Sequence, residues 1–126
     1  MAEVVNLENK KLLVVEDDDM NYLYLIQLFK LTKGDIHRAK MGRQAIDMAT
    51  EENFDLILMD IQLPDITGND VTRKIRESDQ ETPIIAQTAS RTPEDVDAAM
   101  DAGCTDVLIK PFTINDFSRI VRKYIR

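Results

Sequence analysis

The sequence predicts an α/β domain, a parallel β-sheet with helices packed on both of its faces. Three observations predict it. Five short β-like runs each precede a helix-like stretch, and that alternation builds parallel sheets. Runs one, three and four are apolar almost throughout, as strands buried on both faces must be. The chain has 126 residues, enough for one such core and too few for two.

The strands are expected, in order, at Leu12–Val15, Ile36–Ala39, Leu56–Met59, Ile84–Gln87 and Val107–Ile109. The second, within "IHRAK", is more polar than the others and reads as an edge strand. The first helix lies between Met20 and Leu31, where Asn21, Gln27 and Lys30 fall at multiples of three and draw a polar stripe on an otherwise apolar helix. In the second, over residues 42–51, Ala45, Ile46 and Ala49 share a face. Val71 and Ile75 sit four apart in the third, and Val96, Ala99 and Met100 repeat the pattern in the fourth. Phe117, Ile120, Val121 and Tyr124, at i, i+3, i+4 and i+7, mark the fifth. Gly34, Gly68 and Gly103, with Pro64, Pro83, Pro93 and Pro111, punctuate the boundaries. Residues 1–10 read as an N-terminal extension and residues 11–126 as the single domain, with no internal repeat and no second domain expected.

Composition narrows the function classes. Sixteen basic and 23 acidic residues leave a net charge of −7, which argues against a sequence-independent nucleic-acid surface, since such a surface must neutralise phosphates. No apolar run approaches the roughly 20 residues that span a bilayer. The N-terminus lacks the basic, apolar and small-residue succession of a signal peptide. A lone cysteine, Cys104, excludes an internal disulfide, reads as a small apolar filler before the last strand, and fits a reducing, cytoplasmic location.

Right-handed crossovers leave few topologies, and ligands in such sheets bind beyond the carboxyl ends of the strands. The chemistry is therefore expected there. The first strand runs into "EDDD", the third ends at Asp60, the fourth at Thr88 and the fifth at Lys110. Carboxylates gathered at one edge cannot all stay ionised unless a cation joins them or one takes up a proton. All-oxygen ligands suit Mg²⁺, and no set of His or Cys offers a zinc site. A carboxylate-held Mg²⁺ with a Lys and a Thr hydroxyl opposite is a receptor for a phosphoryl group, and a central carboxylate can accept it as an aspartyl phosphate. Asp18 and Asp19 read instead as the N-cap and first turn of the first helix. His37, the only histidine, lies in the polar edge strand and reads as a structural or surface residue, not a phosphoryl donor.

An acidic pair after strand one, "LMDIQLP" followed by Gly68, "TA" after strand four and "KPF" after strand five, in this order and spacing, make the chain resemble the receiver domain of two-component response regulators from about Lys11 onward. The resemblance implies a flavodoxin-like (βα)5 fold with strand order 2-1-3-4-5. It implies that Asp60 is the phospho-acceptor, that Asp17 binds Mg²⁺ directly and Glu16 mostly through water, and that the Gln62 backbone carbonyl completes the protein's share of the shell. Thr88 would hydrogen-bond the arriving phosphoryl group and Lys110 would pair with its oxygens. The Lys110–Pro111 bond is cis in the family, and Gln62 and Ser90 lie near the hydrolytic water, where they tune phosphoryl lifetime. The implied donor is a histidine kinase or a histidine phosphotransfer protein; the output partner is unspecified, and a homodimer is one candidate assembly. No direct nucleic-acid contact and no membrane insertion are implied, and the domain would carry out self-phosphorylation and auto-dephosphorylation without being a turnover enzyme. The wording of "EDDDMN" and "MDIQLP" resembles receivers attached to hybrid histidine kinases. One departure stands out: Val107 occupies the position where many receivers carry the Tyr or Phe that couples the cleft to the output face.

Three rivals carry distinct expectations. A haloacid dehalogenase-like phosphohydrolase also uses an Asp after a strand, but needs a second Asp two residues later, where this chain has Gln62. A flavodoxin-like FMN binder would cradle phosphate with hydroxyl and backbone donors, a task for which "EDDD" has the wrong charge. A receiver-like module that is never phosphorylated would lack cleft residues that this chain has.

Overall fold

The computed structural model of the chain describes residues 4–125. Five parallel strands form one sheet: β1 (Lys11–Val15), β2 (Asp35–Ala39), β3 (Leu56–Asp60), β4 (Ile84–Thr88) and β5 (Asp106–Ile109). Their order is β2-β1-β3-β4-β5, the flavodoxin-like arrangement, with β2 at one edge as its polarity implies. Five helices alternate with them: α1 (Asp19–Phe29), α2 (Gly42–Glu51), α3 (Gly68–Arg76), α4 (Pro93–Ala102) and α5 (Ile114–Val121).

Alternation along the strands divides the core in two. Leu12 and Val14 of β1, Leu56 and Leu58 of β3, Ile85 and Leu108 pack with Leu25 and Phe29 of α1 and Phe117, Ile120 and Val121 of α5. Leu13, Val15, Ile57, Met59, Ile84 and Ala86 face the other way, against Ala45 of α2, Val71 and Ile75 of α3 and Ala99 of α4. β3 and β4, in the middle of the sheet, are buried at every residue, so their apolar runs need no polar face.

The helix starts follow local chemistry. Thr67, Thr92 and Thr113 accept hydrogen bonds from the amides of Asp70, Asp95 and Asp116, capping α3, α4 and α5. Gly103 ends α4 with φ +113°, a left-handed conformation that only glycine adopts without cost. Residues 4–10 are not detached from this frame. Leu7 is fully buried, its amide donates to the Thr32 carbonyl at 2.7 Å, and the Val5 amide donates to Ser118 Oγ of α5 at 3.0 Å.

Three apolar expectations differ from the structure. α1 buries only Leu25 and Phe29, while Met20, Leu23 and Tyr24 are exposed. α5 closes at Val121, so Tyr124 follows the helix in a turn, and its hydroxyl donates to Asp106 Oδ2 at 2.8 Å. Met100 of α4 is likewise exposed. Periodicity locates the apolar stripe but not its neighbours, and among the described residues no element covers Met20, Leu23 or Met100.

Candidate active site

The sheet topology places β1, β3, β4 and β5 side by side, and their carboxyl ends meet at one cleft. Glu16 follows β1 and is anchored by its amide, which donates to the Ala39 carbonyl of β2 at 3.0 Å. Asp60 ends β3, in register with Gln87 of β4, and Thr88 ends β4, in register with Ile109 of β5. The Lys110 amide donates to the Thr88 carbonyl at 2.8 Å, which fixes where the Lys110 side chain begins. The peptide between Lys110 and Pro111 is cis.

At the centre is Asp60, only 5 % exposed. Its Oδ1 accepts a hydrogen bond from the Gln62 amide at 3.0 Å, and its Oδ2 lies 3.2 Å from Lys110 Nζ. Glu16, Asp17 and Asp60 each offer a carboxylate oxygen, and these oxygens lie within 4.8 Å of one another. Three hard oxygen donors so close repel unless a cation is shared among them, and they fit a small divalent ion such as Mg²⁺ better than any soft metal. Asp17 is exposed, whereas Glu16 is buried.

Burial raises the Glu16 pKa above the ordinary carboxylate value, and the charge of Asp60 adds to the rise. The hydrogen bond from Asn21, the Lys110 ammonium and the Asp18 amide act in the opposite direction. Asn21 Nδ2 donates a short hydrogen bond to Glu16 Oε1. The Asp18 amide donates to Oε2 at 3.2 Å, and Lys110 Nζ stands 3.9 Å from Oε1.

Two open clefts share Asp60, Gln62 and Lys110. One, about 470 Å³, is bordered by Glu16, Asp17, Asp18 and Asn21. The other, about 360 Å³, is bordered by Asn69, Thr88, Ala89 and Ser90. The acidic side thus offers the oxygen donors that a cation would take. The opposite side presents the Thr88 and Ser90 hydroxyl groups beside Asp60. Thr88 Oγ1 itself accepts from the Ser90 amide at 3.1 Å, leaving its own proton available to donate. The loop after Asp60 folds back tightly: the Gly68 amide donates to the Ile61 carbonyl at 2.7 Å, and a Cβ on Gly68 would overlap the Asp60 carbonyl oxygen. That is why "LMDIQLP" needs its glycine.

The residues expected at the cleft from the strand-end pattern, Glu16, Asp17, Asp60, Thr88 and Lys110, line it together, and so does Gln62, which only the resemblance implied. Asp18 caps α1 by accepting from the Asn21 amide at 3.3 Å, and Asp19 opens the helix. His37 sits on β2, its Nε2 3.0 Å from Asp35 Oδ2 and its ring edge-on to Phe54. Two residues of the site were not foreseen. Asn21 reads in the sequence as one of a polar stripe, yet it grips Glu16. Gln87, fully buried, points its Nε2 to Glu16 Oε1 at 3.4 Å while its Oε1 finds no hydrogen-bond partner among the described residues. An amide inside an apolar run was the available signal.

Comparison with known proteins agrees with this geometry. The family model described as the response regulator receiver domain matches residues 12–122. The polar-differentiation response regulator DivK of Brucella anthropi is 32 % identical over 118 residues, covering 92 % of this chain and 96 % of that protein. Among solved structures, the receiver domain of the sensor histidine kinase PA1611 from Pseudomonas aeruginosa, which has a magnesium ion coordinated in its active site cleft, is 32 % identical. It aligns with a TM-score of 0.86 over 92 % of this chain and 97 % of that one. The Vibrio cholerae chemotaxis protein CheY4, at 24 % identity and a TM-score of 0.85, shares the fold. With its motifs gathered at one cleft and its length matched almost throughout, the chain belongs to the response regulator receiver domain family.

Proposed function

We propose that Asp60 accepts a phosphoryl group from the phosphohistidine of a histidine kinase or histidine phosphotransfer protein, and that the modified domain changes its preference for an output partner. The observation that carries this is the setting of Asp60: nearly buried, one oxygen against Lys110, and two further carboxylates within reach of a shared cation. Glu16, Asp17, Asp60 and the Gln62 carbonyl would hold Mg²⁺, which supplies positive charge to offset the phosphoryl oxygens.

The chain's own groups do the rest. An Asp60 oxygen forms the new bond to phosphorus as the bond from phosphorus to the donor imidazole nitrogen breaks. Lys110, released from Asp60 Oδ2, pairs with a phosphoryl oxygen, and the Thr88 hydroxyl donates to another. The acyl phosphate is later hydrolysed in the same cleft, with Gln62 and Ser90 at its rim setting the lifetime. A phosphohydrolase is disfavoured because the residue two past Asp60 is an amide, which cannot shuttle the proton that turnover needs. A cytoplasmic setting fits a donor of this kind. Val107, half-buried beside β4, leaves coupling to the α4–β5–α5 face without the aromatic that many receivers use, so output runs through other contacts.

Incubation with acetyl phosphate and Mg²⁺, followed by intact-mass measurement, tests the reading. A single phosphoryl adduct is expected on the wild type, absent from Asp60→Asn and abolished by EDTA. An unmodified wild type, under conditions that modify a control receiver, overturns it.

A further inference from the structure

The repulsion within the acidic loop is countered from behind, by a residue on the edge strand. Arg38 of β2 stands in register with Val14 of β1, and its side chain reaches past the end of β1. Nε donates to the Glu16 carbonyl at 3.1 Å and Nη2 to the Asp17 carbonyl at 3.4 Å. Nη2 also lies 2.9 Å from Asp19 Oδ1. The guanidinium carbon sits 4.2 Å from the centroid of the Tyr22 ring, and the side chain is only 19 % exposed.

An arginine on an edge strand has no need of such an arrangement, because water would satisfy it. Here the planar guanidinium uses its edge for two loop carbonyls and a carboxylate and its face for an aromatic ring, a combination that an ammonium cannot reproduce. The two carbonyls belong to the residues whose carboxylates point into the metal cleft. Glu16 is also held by Asn21 and the Asp18 amide. Asp17 is exposed, and the bond described for its backbone oxygen is the one from Arg38.

We infer that Arg38 is a positioning residue for the acidic loop: it holds the Glu16 and Asp17 carbonyls from behind and thereby sets how tightly their carboxylates take a divalent cation. The inference rests on the Mg²⁺ reading given above. A preorganised ligand loses less conformational freedom when the ion arrives, and groups behind the ligands commonly change metal affinity by about tenfold or more. The charge of Arg38 works against this, since a nearby cation repels Mg²⁺. A charge-conserving substitution separates the two effects. Lys40 is the matched control: its Nζ lies 3.1 Å from the same Asp19 oxygen, so it brings a similar charge to the loop through a side chain and not through the backbone.

The test uses the full chain and Mn²⁺, with free ion followed by electron paramagnetic resonance well below the thermal midpoint of each variant. Arg38→Lys is expected to weaken Mn²⁺ binding by about tenfold. Tyr22→Leu, which removes the ring and keeps every ionic partner, is expected to weaken it less, in the same direction. Lys40→Gln is expected not to weaken it. Wild-type affinity in Arg38→Lys overturns the inference, and so does an equal loss in Lys40→Gln. Should Arg38→Lys fail to fold, Tyr22→Leu decides, and unchanged affinity there overturns it. A wild type that takes up no Mn²⁺ sinks the metal reading and this inference together; a wild type that binds while Arg38→Lys matches it sinks this inference alone.

Discussion

Gln87 is the least expected side chain in the interior. It lies in β4 beside Asp60, fully buried, with one long hydrogen bond to Glu16 and an amide oxygen that pairs with none of the described residues. A buried acceptor without a donor costs roughly 1–3 kcal/mol, more than one stretched hydrogen bond returns. Leucine has a similar volume and no orphan oxygen. Gln87→Leu is therefore expected to leave the fold as stable as the wild type or up to about 2 kcal/mol more stable, measured by urea unfolding. A clear loss of stability would show instead that the bond to Glu16 dominates. Glu16 keeps Asn21 and the Asp18 amide in either case. At this scale the sequence was informative about which residues reach the cleft, because strand ends and residue type suffice for that. It was silent on which groups grip them. Asn21, Gln87 and Arg38 each act across elements, and nothing in their own surroundings in the sequence announces a partner up to 71 residues away.

Among the elements, α5 owes its start to a reciprocal pair. Thr113 Oγ1 accepts from the Asp116 amide at 3.1 Å, and Asp116 Oδ2 accepts from the Thr113 amide at 3.0 Å. Thr113→Ala is expected to cost about 1 kcal/mol. The hydrogen bond from the Thr113 backbone, then that from its side chain, lowers the Asp116 pKa below the ordinary carboxylate value. A group whose folded-state pKa is depressed contributes stability above its unfolded pKa, and that contribution fades as pH falls through the folded value. Asp116→Asn should accordingly melt below the wild type at neutral pH, and the two melting temperatures should converge below about pH 4. A gap that persists in acid would assign the effect to shape and not to charge. α2 is built differently: Met41 offers no side-chain cap, and Asp65, from the loop after β3, accepts from the Gly42 and Arg43 amides at 2.8 and 2.9 Å. The caps at Thr67, Thr92 and Thr113 are local and readable in sequence, whereas a cap supplied from 23 residues downstream is not. The same limit explains α1, whose apolar character is plain in sequence while the exposure of Met20, Leu23 and Tyr24 depends on what lies opposite.

For the molecule as a whole, the parallel sheet and the two-sided core were legible because alternation, run length and handedness constrain them together, whereas the strand order came only with the resemblance to receiver domains. The role of the first residues was not. Residues 4–10 hold Val4, Val5 and Leu7 among polar neighbours, a run too short to show a period, so the sequence alone reads them as an extension. Yet Val5 and Leu7 lie in the same apolar layer as Phe29, Phe117 and Val121, closing the sheet face between α1 and α5. The backbone is tied there too, through Thr32 and Ser118. Removing a fully buried leucine side chain takes away its transfer free energy and leaves a cavity that rigid neighbours fill poorly. Leu7→Ala is therefore expected to cost about 2–5 kcal/mol, a large share of the stability of a domain this size. The cleft lies at the opposite, carboxyl end of the strands, so phosphorylation by acetyl phosphate below the lowered midpoint should proceed as in the wild type. Urea unfolding of the two proteins measures the first expectation and intact mass the second. A Leu7→Ala protein as stable as the wild type would make residues 4–10 an appendage, and a folded one that no longer takes the phosphoryl group would mean that this layer also shapes the cleft.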